Sequence, residues 1–281
     1  MRSVKMLMAA GAASLIASAA MAADMPIAPP PAYAPPPAED FGGWYLRGDI
    51  GFSNQQVKDL RYGRESAYSQ LTSFDQQTSF DAAGIYGLGV GYQFNPWFRA
   101  DLIGQYRANA NFKGTDRFTG TASGLPYSGI DNYGASKSEW LVMANAYVDL
   151  GTWWCITPFV GAGVGAARVT MANFTDTGIN NIPFSTASFA SAPTASKWNL
   201  AWAVHTGLAY KVNPNLTLEL AYSYLNLGDG YTGSLSTFTG ATTNNSFKFK
   251  DITSHDVKLG VRWNLDAGPV YAAPPPLMRK G

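Results

Sequence analysis

Eight stretches of this chain alternate apolar residues with polar or small ones at a period of two, and that pattern limits the fold more than any other feature. Successive side chains of a strand point to opposite faces, so a period of two is the mark of a sheet with one apolar face. In the first stretch Trp44, Leu46, Gly48, Ile50 and Phe52 alternate with Tyr45, Arg47, Asp49 and Gly51. The second sets Tyr86, Leu88, Val90, Tyr92 and Phe94 against Gly87, Gly89, Gly91 and Gln93. The third opposes Phe98, Ala100, Leu102 and Tyr106 to Arg99, Asp101, Ile103, Gln105 and Arg107. Trp140, Val142, Ala144 and Val148 face Glu139, Met143, Asn145 and Asp149 in the fourth. Val160, Ala162 and Val164 alternate with glycines in the fifth, and the sixth runs from Trp198 to Lys211 around His205. The seventh sets Leu218, Leu220, Tyr222 and Tyr224 against Glu219, Ala221 and Ser223. The eighth sets Val257, Leu259, Val261 and Trp263 against Asp256, Lys258, Gly260 and Arg262.

Long connections span 54–81, 109–137, 170–196 and 228–250, and short ones fall at Asn95-Pro96, 151–155 and Asn213-Pro214-Asn215. They alternate strictly. This predicts an all-β fold: an eight-stranded antiparallel up-and-down transmembrane β-barrel over 42–266, with four long extracellular loops. An even strand count puts both termini at the tight-turn end, which is periplasmic in such barrels. Aromatic residues of the apolar face form two groups. Trp44, Tyr92, Phe94, Phe98, Tyr210 and Trp263 lie toward the turns, and Phe52, Tyr86, Tyr106, Trp140, Trp198 and Tyr222 toward the loops. Two aromatic girdles are expected where a barrel meets both membrane–water interfaces.

The polar face carries Arg47, Arg99, Arg107, Lys211, Lys258 and Arg262, matched by Asp49, Asp101, Glu139, Asp149, Glu219 and Asp256. Eight strands enclose an interior that side chains just fill, so these charges must pair. They predict an ionic plug. Arg47, Asp49, Arg99, Asp101, Glu219, Lys258 and Arg262 fall at similar depth, with Arg107 and Glu139 higher. The alternative is a charged constriction, a small porin passing ions or small solutes. The glycine runs 87–91 and 161–165 lack nucleotide-loop spacing and a following helix, and read as room for large interior neighbours.

Composition narrows the function. With 20 Lys and Arg against 19 Asp and Glu, nucleic acid is not expected as a partner. One cysteine, Cys155, excludes a disulfide framework, and the two histidines, His205 and His255, make no metal or triad spacing. No cofactor and no enzymatic activity are expected. At the N-terminus Arg2 and Lys5 precede an uncharged stretch ending in Ala20-Met21-Ala22, which predicts a signal peptide over 1–22 cleaved between Ala22 and Ala23. A Pro-rich periplasmic linker over 23–41 and a Pro-rich tail over 267–281 flank the barrel.

The chain resembles the OmpA-like outer-membrane β-barrel family, above all the small alphaproteobacterial major and immunogenic outer-membrane proteins. The likeness rests on the Ala-Met-Ala-Ala-Asp junction, Gly43-Trp44-Tyr45-Leu46-Arg47-Gly48, Pro158-Phe159-Val160-Gly161-Ala162-Gly163, Leu216 through Tyr224, and the strand from His255 to Leu265. It implies a Gram-negative outer-membrane location, with the lipid bilayer, lipopolysaccharide and the outer-membrane assembly machinery as partners. In that family the last strand ends the chain on an aromatic residue, whereas here it ends at Trp263-Asn264-Leu265 and a tail follows. The expected role is structural and surface-interacting, supporting envelope integrity, with the loops offered to an extracellular ligand for adhesion or binding.

Overall fold

A computed structural model describes residues 43–63, 68–181 and 186–265. The expected signal peptide, its Ala22–Ala23 junction, the Pro-rich linker and the Pro-rich tail lie outside the described residues.

The described chain is antiparallel strand joined by turns: β1 (Gly43–Gln56), β2 (Asp59–Tyr62), β3 (Leu71–Phe80), β4 (Ala83–Asn95), β5 (Phe98–Ala122), β6 (Leu125–Asp149), β7 (Ile156–Asn180), β8 (Thr186–Ala192), β9 (Ala195–Lys211), β10 (Leu216–Tyr231), β11 (Ser236–Thr237) and β12 (Phe247–Asn264). Pairing runs β1–β4–β5–β6–β7–β9–β10–β12, and β12 pairs back onto β1. Each stretch read as alternating lies within one strand of that path.

Twelve strands stand where eight were expected, because the long connections are themselves extended. β5 and β6 form one hairpin, each strand 25 residues long, closed by Ser123-Gly124. Both turn residues have positive φ, 51° and 81°, the backbone that a two-residue hairpin turn requires. β7 and β8 pair from Phe174 to Asn180, β3 lies along upper β5, and β2 along the start of β12. These segments form a sheet-built crown above the part of the path carrying the charged face.

The extensions escaped the alternation pattern because the pattern changes phase. On β5 the inward residues are odd up to Arg107 and even from Ala110, and two β5 residues oppose one of β6 at that point. A bulge inserts one residue and so exchanges the two faces beyond it. The same exchange separates Met171 from Phe174 on β7, at Asn173 (φ 53°), and Phe249 from Ile252 on β12, at Asp251 (φ 47°).

At the opposite end the turns are short and held by asparagine. Asn95 Oδ1 accepts from the backbone N–H groups of Trp97 (3.0 Å) and Phe98 (2.7 Å). Asn213 Oδ1 accepts likewise from Asn215 (2.9 Å) and Leu216 (2.8 Å).

The distribution of side chains is inverted relative to a soluble protein. Leu88 is 77% exposed and Leu200 74%, while Arg99 and Arg107 are fully buried. An outward apolar band of this extent needs lipid against it. A broad apolar concavity, lined by Ile50, Leu88, Leu208, Leu220 and Leu259, belongs to that outer face. Inside, glycines let the large side chains lie flat on the neighbouring backbone. A Cβ at Gly91 would overlap the Tyr45 ring, and one at Gly161 the Tyr147 ring. Above the charged layers the interior turns apolar: Phe80, Phe112, Tyr133, Phe174, Phe247 and Phe249 pack ring on ring, with centroids 4.8 to 6.4 Å apart.

Candidate functional site

The inward charges fall into two tiers. In the lower, Arg47 on β1 meets Asp49 (3.0 Å), Asp101 (2.9 Å) and Glu219 (3.5 Å). Arg99 meets Asp149 and Glu219, both at 3.3 Å, and Arg262 meets Glu219 at 3.5 Å. Glu219 therefore serves three guanidiniums. Arg47 and Arg262 are directly opposite each other in the β1–β12 register. The Arg99 guanidinium also lies over the Tyr147 ring at 4.2 Å and the Phe159 ring at 4.8 Å, positions that favour a cation.

In the upper tier Arg107 forms a two-pronged pair with Asp256, donates to Ser254 Oγ (3.0 Å), and lies 3.8 Å from Glu139. The shared depth expected of Arg107 and Glu139 matches their direct register, but Glu139 meets a nearer cation, Lys137. Lys137 is 1% exposed, although the sequence pattern places it at the edge of a long connection. Gln55 donates to Glu139 at 3.0 Å. The odd-numbered run Tyr133, Ala135, Lys137, Glu139 carries the signal, since it continues the β6 alternation without a break.

Of the two eighth-stretch cations at the depth of Glu219, Arg262 meets it, while Glu219 opposes Gly260 and Lys258 lines a void of about 10 Å³ with Asp49, Gln105, Asn145 and His205. Lys211 was expected inside, yet it is exposed at the end of β9. His205 is hydrogen-bonded to Ser223 Oγ (2.8 Å) and Asn145 Oδ1 (3.1 Å).

Of the girdle residues, Trp44, Trp140, Trp198, Tyr210 and Trp263 are outward and about half exposed, at 54, 56, 57, 50 and 48%. Phe98 is half-buried, packed between Phe94 (5.4 Å) and Trp97 (5.8 Å). Trp140, Arg168 and Trp198 share one cross-strand row. Cys155 is exposed in its turn. Among the described residues no group of three His, Cys, Asp or Glu side chains could hold a metal ion.

The crown holds a second constellation that loop reading hid. The register sets Gln76 of β3, Asp116 of β5, Asp131 of β6 and Gly178 of β7 in one row, with Tyr133 opposite Asp176 in the next. Asp116, Asp131, Tyr133 and Asp176 line a cavity of about 340 Å³ with Tyr68, Phe118, Tyr127 and Phe247. Asp116 Oδ2 accepts from Gln76 Nε2 (3.2 Å) and Tyr133 Oη (3.1 Å). Gln76 also bonds both backbone groups of Leu60 at 2.9 Å, tying β2 to β3. The Oδ1 atoms of Asp116 and Asp176 are enclosed without a hydrogen-bond partner. Burial pushes the Asp176 carboxyl up to about 7, helped by the charges of Asp131 and Asp116. Burial raises Asp116 to about 6, against the hydrogen bonds from Gln76 and Tyr133, and it raises Asp131 as well.

Residues 10–264 match the family model described as outer membrane protein beta-barrel domain. The chain is 34% identical over 228 residues to an uncharacterized protein of Brucella abortus, covering 76% of this chain and 78% of that one. It is 28% identical to the outer membrane protein PagN of Salmonella typhimurium, covering 79% of this chain and 89% of that protein. It is 27% identical to a candidate adhesin of Rickettsia felis, covering 81% and 91% respectively.

Proposed function

We propose a function that proceeds from one premise: the chain belongs to the outer membrane protein beta-barrel domain family, and so resides in the outer membrane of a Gram-negative bacterium. On that premise it is a non-enzymatic surface-interaction barrel. Eight strands cross the bilayer, four hairpins stand outside the cell, and both termini lie in the periplasm. The observation that carries this reading is that the strands do not stop at the outward Trp140–Trp198 row. They continue into a paired crown, so the outward-facing end is a built surface. Rigid elements present binding groups with less ordering entropy than free loops do. Apolar groups on that crown are open to solvent, with Phe238 87% and Leu125 68% exposed. The likeness to PagN and to the rickettsial candidate adhesin supports the same reading.

A small porin is the competing function. The paired tiers argue against it: the void beside Lys258 is about 10 Å³, room for about one water molecule. Surface display on a non-adherent Gram-negative host tests the proposal. Cells carrying the full chain should bind animal-cell monolayers or extracellular-matrix coatings. Cells carrying a chain whose 110–135 hairpin is shortened to a two-residue turn should not, at equal surface amount. Equal adhesion of the two, or ion conductance in planar bilayers without adhesion, refutes it.

A further inference from the structure

The crown cavity has the make-up of a site for an organic cation. Three carboxylates, Asp116, Asp131 and Asp176, come from three adjacent strands onto one concave wall. Among the described residues none of them forms an ion pair with a basic side chain, whereas the interior tiers below pair arginine with acid repeatedly. Asp116 and Asp131 are directly opposite in register, an arrangement that repels unless something positive lies nearby. Asp116 is only 3% exposed and its Oδ1 is enclosed without a hydrogen-bond partner, so one strong acceptor just behind this wall lacks a donor. More than half of the remaining wall is aromatic, including Tyr68, Phe118 and Phe247, with Leu71 and Leu235 among the rest. Ring faces attract cations and rings cover alkyl stems, and carboxylates neutralise the charged end. The volume of about 340 Å³ suits a long side chain or a small amine rather than a bare ion.

We propose that this cavity binds an alkyl-linked cation, an ammonium or guanidinium on an aliphatic stem, as carried by the lysine and arginine side chains of proteins and by free diamines. The inference deepens the surface-interaction reading and rests on it for placing the cavity outside the cell. Binding itself is read on the purified barrel, so its failure leaves that reading standing, and failed adhesion leaves the cavity's chemistry standing.

The test is calorimetric titration of the folded full chain in detergent micelles with three probes: N-acetyl-lysine amide, putrescine, and uncharged N-acetyl-norleucine amide. At pH 8 the two cations should bind saturably, one per barrel, and the norleucine compound should not. Tighter binding of N-acetyl-lysine amide assigns the site to polypeptide side chains, and tighter binding of putrescine to free diamines. Asp131→Asn and Asp176→Asn should each weaken binding by about tenfold or more, the loss expected from removing one charge-assisted contact. Both are isosteric and relieve repulsion, and heat-dependent gel migration reports that each variant is folded. The titratable groups facing the cavity are Asp116 from β5, Asp131, Tyr127 and Tyr133 from β6, Asp176 from β7, Tyr62 from β2, and Tyr68 just before β3. Arg61 on β2 is spoken for by Asp59 at 3.5 Å. Since Asp116, Asp131 and Asp176 take up protons as the pH falls, cation binding should fade between pH 8 and pH 5. Equal binding of the norleucine compound, unchanged affinity in both Asn variants, or no saturable binding of either cation overturns the proposal.

Discussion

Glu219 is the residue on which the lower tier depends most, because Arg47, Arg99 and Arg262 all lean on it. Glu219→Ala leaves buried guanidiniums short of an anion, and breaking a buried pair costs about 3–5 kcal/mol. Urea unfolding in detergent should show a loss of that size. Adding Arg262→Met should recover only part of it, since Arg47 and Arg99 also lose a carboxylate. Full recovery in the double variant would mean that Glu219 serves one partner rather than three. The crown carboxylates behave in the opposite sense. Their folded pKa values are raised, to about 7 for Asp176 and about 6 for Asp116. Crown stability is therefore greatest below about pH 4, where folded and unfolded carboxyls are both protonated, and declines as pH rises through 6 and 7. Hydrogen exchange at the tips of β6 and β7, corrected for intrinsic rates, should be faster at pH 8 than at pH 5. Asp131→Asn should flatten the difference, because the Asp131 charge contributes to both shifts. A pH-independent pattern in the wild type would contradict this account.

At the scale of strands, the phase of the alternation decides what can be seen in advance. The eight alternating stretches were legible because one face is polar and the other apolar along an unbroken register. Where a bulge intervenes, at 108–109 on β5, at Asn173 and at Asp251, the faces exchange and the alternation in the sequence breaks. The expected long connections begin or end within a few residues of these points. The interior partners Arg47, Asp101 and Glu219 could be read from parity and depth, since pairing across a filled interior needs nothing more. The crown wall could not: Asp116 and Asp176 lie beyond a phase change, on residues of the opposite parity. Deleting Asn109 removes the extra residue, so Arg107, Ala110, Phe112 and Asp116 fall on one unbroken alternation and stay inward. The variant should keep both its heat-dependent migration and the protection of its crown against brief proteolysis. A crown cleaved faster than in the wild type would show that the bulge does more than carry one extra residue.

For the whole molecule, the described residues divide by height into an outward apolar band around paired charges, then an aromatic layer, then a concave cup. The band is what a bilayer demands of a barrel, and the paired charges are what a filled interior demands. The aromatic layer and the cup carry most of what the sequence concealed. One detail of the lower layer bears on how such a molecule comes into being. The first and last strands meet with Arg47 directly opposite Arg262, so the seam joins two like charges. The carboxylate that reconciles them, Glu219, comes from neither strand but from β10. Asp49 and Asp101 also hold Arg47, but Arg262 leans on Glu219, so joining the ends should be easier once β10 is seated in register, and the seam then works as a checksum on the strand before it. Glu219→Ala should accordingly prolong the open, slowly migrating form in a refolding time course, by more than its effect on the unfolding rate. A chain assembled from one end to the other thus carries within its last joint a test of whether its penultimate step was completed.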